Sequence, residues 1–143
     1  MIHLNKHVLE VLKNDAFHSF PDECCGFMLG TESGEERAIE HIIVVNNCKE
    51  GDKRRRFEIS PADYLNAERY ADENHLQLLG VYHSHPNHPS VPSEQDRIAA
   101  QPYFSYLILA IKENELVSVQ SWKLNEEFQF EEEKVLILKS IQA

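Results

Sequence analysis

Histidine, serine and aspartate crowd into one stretch, Gly80 to Asp96, which reads GVYHSHPNHPSVPSEQD. In an extended strand, side chains two residues apart share a face, so His83 and His85 project together while Ser84 points away. Asp96 follows His85 by eleven residues, and the loop from Pro86 to Pro92 is long enough to return it to the same spot in the first turn of a helix. Two imidazoles and one carboxylate suit zinc and leave a fourth tetrahedral position open for water, the arrangement of a catalytic rather than a structural site. Each part also has a plainer reading. A pair of strand-end histidines is often only hydrogen-bonded, and Ser93-x-x-Asp96 has the form of a helix capping box. A carboxylate turned back to its cap cannot offer the same lone pairs to a metal, so both readings of Asp96 stay open on spacing alone.

The elements that must position these residues follow from apolar periodicity. From Asn5 to about Phe20, apolar residues recur at three- and four-residue spacing, which predicts an amphipathic helix ending before Pro21. CGFMLG is a short apolar strand followed by the polar turn TESGEE, and AIEHIIVVNN is a second strand. The charged segment Cys48 to Arg55 reads as a loop leading to a short strand at Phe57 to Ile59. Ser60 as N-cap, Pro61 at the first helical position and Asp63 at the third open a second helix running to about Asn74. LQLLGVYHSH is a buried strand ending at Pro86. Ser93 starts a short helix through about Gln101, YFSYLILAIK and LVSVQSWKL are strands, and the acidic C-terminal stretch is expected to hold a strand and a terminal helix. The order predicts one mixed α/β domain over residues 1–143, a sheet with helices packed on it.

Composition narrows the function. With 143 residues and 42% hydrophobic content the chain can build one sizeable core. A formal net charge of −10 opposes broad electrostatic binding to nucleic acid or to anionic lipid. The basic run Lys53 to Arg56 reads as a solvated loop, with a docking patch for an acidic tail as the rival reading. Three cysteines, two of them adjacent at Cys24 and Cys25, form no disulfide framework and fit a reducing compartment. No stretch approaches the ~20 apolar residues a membrane span needs, and the N-terminus lacks a signal-like core. A cytoplasmic protein is expected.

The joint pattern HSHP, six residues, then S-x-x-D carries more than its parts, because it is the signature of the JAMM, or MPN-plus, metalloproteases. This sequence resembles them at His83, His85, Pro86, Ser93 and Asp96. The family's upstream glutamate, in a P-x-E-x-C-G-like stretch, is matched by Glu23 in PDECCG. The resemblance covers most of the chain, including RRFEISPAD before the second helix, and points to the small stand-alone bacterial members. It implies a single mixed, strongly curved sheet with packed helices, an architecture like that of the cytidine deaminases, although the H-x-E and P-C-x-x-C elements of deaminase chemistry are absent.

The resemblance further implies that His83, His85 and Asp96 hold one zinc ion per chain. Glu23 is then the general base and later acid, and Ser93 donates its hydroxyl to the oxyanion. It implies hydrolysis of the amide after the C-terminal glycine of a ubiquitin-like or sulfur-carrier protein. The chain is too compact for the two inserted segments with which eukaryotic deubiquitinases grip ubiquitin. The competing reading is a non-catalytic scaffold or a module that binds a ubiquitin-like protein; the scaffold members dimerise, so a homodimer is the assembly the resemblance allows. His88 reads as a loop residue, and Cys24 and Cys25 as packing residues rather than nucleophiles.

Overall fold

The computed structural model describes residues 1–138. The chain begins with a strand that the apolar pattern does not announce, β1 (Ile2–Asn5), too short to show a period by itself. Helix α1 (Lys6–Ser19) follows, capped by Asn5, whose side chain accepts from the Val8 N–H at 2.8 Å. It ends at Phe20, which the following proline holds in extended backbone. Strands β2 (Cys25–Ser33) and β3 (Glu36–Val45) form a hairpin. Thr31 to Ser33, expected in the turn, instead extend β2, because the chain reverses later, at Gly34 with φ +62°, a left-handed conformation that glycine adopts without strain.

Helix α2 (Pro61–Glu73) starts as expected, with the Ser60 hydroxyl accepting from the Asp63 N–H at 3.1 Å. The strand expected at Phe57 to Ile59 is absent: those residues have the right pattern but no ladder partner. Strand β4 (Gln77–Pro86), helix α3 (Glu94–Ala99), and strands β5 (Ser105–Lys112) and β6 (Glu115–Leu124) match the expected order. The described part of the C-terminal stretch is two strands, β7 (Phe130–Glu133) and β8 (Val135–Leu138), where a strand and a helix were expected. The remainder of that expected helix lies outside the described residues.

The eight strands among the described residues join one mixed sheet in the order β7-β6-β5-β4-β2-β3-β1-β8. β7 and β8 occupy its opposite edges, yet a single residue, Lys134, separates them in the chain. The sheet is therefore curved almost into a barrel. The first residues fasten the seam: the Ile2 N–H donates to the Lys134 carbonyl at 2.8 Å, and the N-terminal ammonium meets the Glu133 carboxylate at 3.3 Å.

Alternation along the strands divides the core in two. Val8, Leu12 and Ala16 of α1 pack with Met28, Leu79, Leu107 and Leu109 on one face. Ala67 and Ala71 of α2 pack with Phe27, Leu29, Val81 and Tyr106 on the other. Each fully buried aliphatic or aromatic side chain contributes about 1.5–3 kcal/mol through removal from water. Gly80 lets β4 lie close against β5, since a Cβ there would collide with the Ser105 carbonyl. No helix among the described residues is long and apolar enough to cross a membrane.

Candidate metal centre

β4 runs antiparallel to β2, and Cys25 pairs with His83. β2 thus begins where β4 ends, and Glu23, just ahead of β2, arrives beside the two histidines. Two bonds fix that junction: the Cys24 N–H donates to the Ser84 hydroxyl at 2.8 Å, and the Ser84 N–H donates to the Cys24 carbonyl at 3.2 Å. Ser84 therefore faces away from the site, as strand alternation requires, while His83 and His85 face it together.

The third member comes from α3. His83 Nε2 and His85 Nε2 lie 3.1 Å apart, and Asp96 Oδ2 is 3.3 Å from the first and 3.2 Å from the second. Ligands about 2.0–2.1 Å from a tetrahedral zinc are separated by roughly 3.3 Å, so this triangle fits the ion closely. The donor set, two imidazole nitrogens and one carboxylate oxygen, suits it as well. The capping box is also real: Asp96 Oδ2 accepts from the Ser93 N–H at 2.9 Å, and the Ser93 hydroxyl accepts from the Asp96 N–H at 3.0 Å. The cap does not exclude the metal reading of Asp96, because one oxygen carries two lone pairs and the cap occupies only one.

The histidines are held by their surroundings. His85 Nδ1 lies 2.7 Å from the Pro89 carbonyl; a carbonyl only accepts, so Nδ1 carries a proton and Nε2 is the nitrogen turned to the site. The Pro89 carbonyl is placed by its neighbour Ser90, which is fully buried, with its hydroxyl 2.6 Å from Gln120 Oε1 and its carbonyl accepting from the Trp122 indole at 3.0 Å. Trp122, expected as core, is half-buried and anchors this loop. Phe57 stacks on His83 with ring centroids 4.4 Å apart, and His88 stacks on His85 at 4.1 Å.

Glu23 is the buried carboxyl of the cluster. It is 2% exposed, and its Oε1 has no hydrogen-bond partner. It forms with His83 and His85 a cluster able to hold a metal, their ligating atoms all within 4.8 Å of one another. Burial pushes its pKa up to about 9, helped by the negative charges of Asp96 and then Asp52. Burial acts on Asp96 in the same direction, but the charge of His83 and the hydrogen bonds from His83, His85 and the Ser93 backbone outweigh it and hold that carboxyl well below its usual range. Two neighbouring carboxyls are thus driven apart, one to keep a proton and one to stay ionised. Ser93 is exposed; with a lone pair committed to the cap, its O–H remains available to donate.

Sequence reasoning missed the segment that holds Glu23. The Glu23 N–H donates to the Lys53 carbonyl at 2.7 Å. The Asn47 amide donates to the Glu23 carbonyl at 3.2 Å and to the Arg56 carbonyl at 3.0 Å, while its oxygen accepts from the Lys49 and Glu58 N–H groups. Nothing local marks Asn47 or Phe57 as special; His88, two residues from the end of HSHP, carried a weak signal. Cys24 and Cys25 are buried and free. Burial raises the Cys24 thiol well above its usual range and pushes Cys25 up to about 12, so neither is a nucleophile.

Two grooves approach the centre. One, of about 250 Å³, is floored by Phe57, Ile59, Tyr64, Val81 and Tyr106 and reaches His83 and Asp96. The other, about 550 Å³, is lined by Asp15, His18, Asp22, Asn47 and Lys53 and reaches Glu23.

Comparison with known proteins agrees with this geometry. The model of the prokaryotic homologs of the JAB domain matches residues 5–125. The desampylase of Pyrococcus furiosus is 25% identical over 135 residues, covering 94% of this chain and 86% of that protein. The tail tip assembly protein K of Escherichia phage N15 is 24% identical over 94 residues, 66% of this chain but 34% of the phage protein. Among solved structures, a protein of Desulfitobacterium hafniense superposes with a TM-score of 0.87 at 28% identity, covering 99% of this chain and 96% of that one. A JAB1/MPN domain protein from Archaeoglobus fulgidus, 18% identical, shares the fold with a TM-score of 0.58 over 96% of this chain and 99% of its own.

Proposed function

The chain belongs to the JAMM/MPN metalloproteases as a prokaryotic homolog of the JAB domain, and on that premise we propose that it is a zinc peptidase cutting the amide after the C-terminal glycine of a ubiquitin-like or sulfur-carrier protein. One observation carries the reading: three candidate ligating atoms converge at 3.1–3.3 Å beside a buried carboxyl whose Oε1 has no partner. His83, His85 and Asp96 would hold one zinc ion. When bound, zinc supplies Lewis acidity, polarising the scissile carbonyl and making a water acidic enough to lose its proton near neutral pH.

The remaining steps belong to the chain's own side chains. Glu23 Oε1 takes the proton of the attacking water and later delivers it to the departing amine, a transfer typically worth ~10²- to 10⁴-fold. Burial alone keeps the Glu23 carboxyl protonated, and a cation held by the neighbouring histidines would favour its ionised form. Ser93 directs its O–H at the oxyanion that forms on the carbonyl. The two grooves that reach the site receive the substrate before and after the scissile bond, and an extended glycine-ended tail is slender enough for the smaller one. The relative named desampylase, similar over 94% of this chain, supports a small protein modifier as substrate.

The test is release of amines from the C-terminus of ubiquitin-like and sulfur-carrier conjugates by zinc-loaded protein, followed by mass spectrometry, with zinc counted per chain. About one zinc and clean cleavage after the terminal glycine are expected. Zinc-loaded protein that cleaves none of these conjugates would overturn the assignment in favour of a binding platform.

A further inference from the structure

The positive charge of this acidic chain is concentrated beside its site. Five of fourteen lysines and arginines, Lys49, Lys53, Arg54, Arg55 and Arg56, fall in the loop between β3 and α2, in a chain of net charge −10. The fold makes that loop a wall of the centre. Its Lys53 carbonyl receives the Glu23 N–H, the Asn47 amide ties Glu23 to Arg56, and Lys49 and Arg56 line the groove that reaches His83 and Asp96.

These cations have little work inside the fold. Lys13, Arg37 and Arg97 each meet a carboxylate. Of the five in the loop, among the described residues, only Arg55 does, and its contact with Asp52 is a 3.8 Å pair between groups that are 85% and 55% exposed. Such a pair contributes almost nothing to stability. The backbone beneath them is nevertheless fixed by hydrogen bonds to the site, so the charges stand at a defined place rather than on a free tail.

We propose that this loop is the docking surface for an acidic face of the protein substrate, placing carboxylates that precede the extended tail against Lys53 to Arg56 while the tail enters the groove. The proposal rests on the peptidase reading and names its substrate class. The electrostatics favour an acidic protein over other anions. The long exposed side chains form no enclosed cradle for a small ion, and the net negative charge elsewhere opposes a polyanion that must run across the surface. For a compact acidic partner the same background repulsion is useful, because it disfavours every approach except the one that brings the tail to the centre. Rim charges of this kind act on encounter and orientation more than on the chemical step.

The test uses the zinc-loaded full chain and two fluorogenic peptide amides with the same glycine-ended tail, one preceded by Asp and Glu, the other by Ser and Gln. At low salt the acidic peptide is expected to show a kcat/KM about tenfold higher, through KM with kcat unchanged. The preference disappears towards 1 M salt, where the screening length falls to about 3 Å. In R54E/R55E it is abolished or inverted, and in R54K/R55K it persists. Equal, salt-independent cleavage of both peptides by the wild type would overturn the docking surface and leave the peptidase intact; this arm needs no variant. Fluorescence anisotropy of the same peptides with Glu23→Gln protein separates the two readings. No cleavage of either peptide together with salt-sensitive preference for the acidic one would sink the peptidase and keep the surface, whereas equal or absent binding would sink the surface.

Discussion

A buried polar cluster lies near each end of β4, and the two are finished differently. Near its start, Arg37 is 2% exposed and fully partnered. It donates to Glu32 at 2.6 Å, to the Leu79 carbonyl at 3.0 Å, to the Ser105 hydroxyl at 2.9 Å and to the Tyr103 carbonyl at 2.9 Å, and its guanidinium lies 4.5 Å from the centre of the Tyr103 ring. Near its end, the cluster of Glu23, His83, His85 and Asp96 retains Glu23 Oε1 and His83 Nδ1 with no partner. Folding normally satisfies buried polar atoms. A completed cluster fastens strands, whereas an incomplete one holds bonding capacity for something that arrives later. That difference separates structure from chemistry at the two ends of one strand.

Exchanging the functional groups should separate activity from stability. Glu23→Gln is expected to cut hydrolysis by ~10²- to 10⁴-fold while zinc content and melting temperature stay at wild-type values; an active, zinc-loaded variant would remove Glu23 from its role. Arg37→Met should do the reverse, costing about 3 kcal/mol in urea unfolding, the low end for a broken buried pair because Glu32 is partly exposed, while kcat of the folded fraction holds. Equal loss of kcat and stability in both variants would erase the contrast.

Asn47→Ala tests the join between the loop and Glu23. It should lower kcat severalfold with KM and zinc content nearly unchanged, and cost about 1–2 kcal/mol for the backbone groups left unpaired. Asn47→Asp, which keeps the acceptor oxygen but sets a carboxylate oxygen against the Glu23 and Arg56 carbonyls, should recover neither the stability nor the rate.

The smallest effect is a difference in the sign of pH dependence, read from urea midpoints of metal-free protein. Glu23 has a folded pKa raised to about 9 by burial. Its contribution is fully present below the ordinary glutamate value and is lost as pH rises towards 9. Glu32 is shifted the other way, chiefly by its hydrogen bond from Arg37. Its contribution is present above the ordinary value and is lost as pH falls through its folded pKa. Glu23→Gln should flatten the alkaline side of the profile and Arg37→Met the acidic side. A profile that either substitution leaves unchanged would show that the cluster concerned is not the source of the slope.

Much of this molecule was legible where the information is local. The strand period of two put His83 and His85 on one face and Ser84 on the other, and Ser60-Pro61 and Ser93-x-x-Asp96 fixed two helix starts through their own hydrogen bonds. The order of elements along the core of the chain follows from the same periodicities, and the HSHP and S-x-x-D spacing identified the family. The errors fell where a partner distant in sequence decides. Ile2 and Leu4 become a strand only because β3 and β8 flank them in parallel, Phe57 to Ile59 have no ladder, and Val135 to Leu138 are a strand because β1 offers an edge.

The site divides along the same line. The sequence alone determined the residue types at the site, the shared face of the histidines and the cap that starts α3. Only the tertiary structure decided that one oxygen of Asp96 meets both the cap and the two histidines, that Glu23 is buried with Oε1 unpartnered, and that a basic loop supplies the carbonyl holding it. The physical reason is register. A side chain's face follows from its own backbone, but which strand ends lie side by side is set by ladders such as Cys25 with His83, and those depend on closing a sheet whose two edges meet at Lys134.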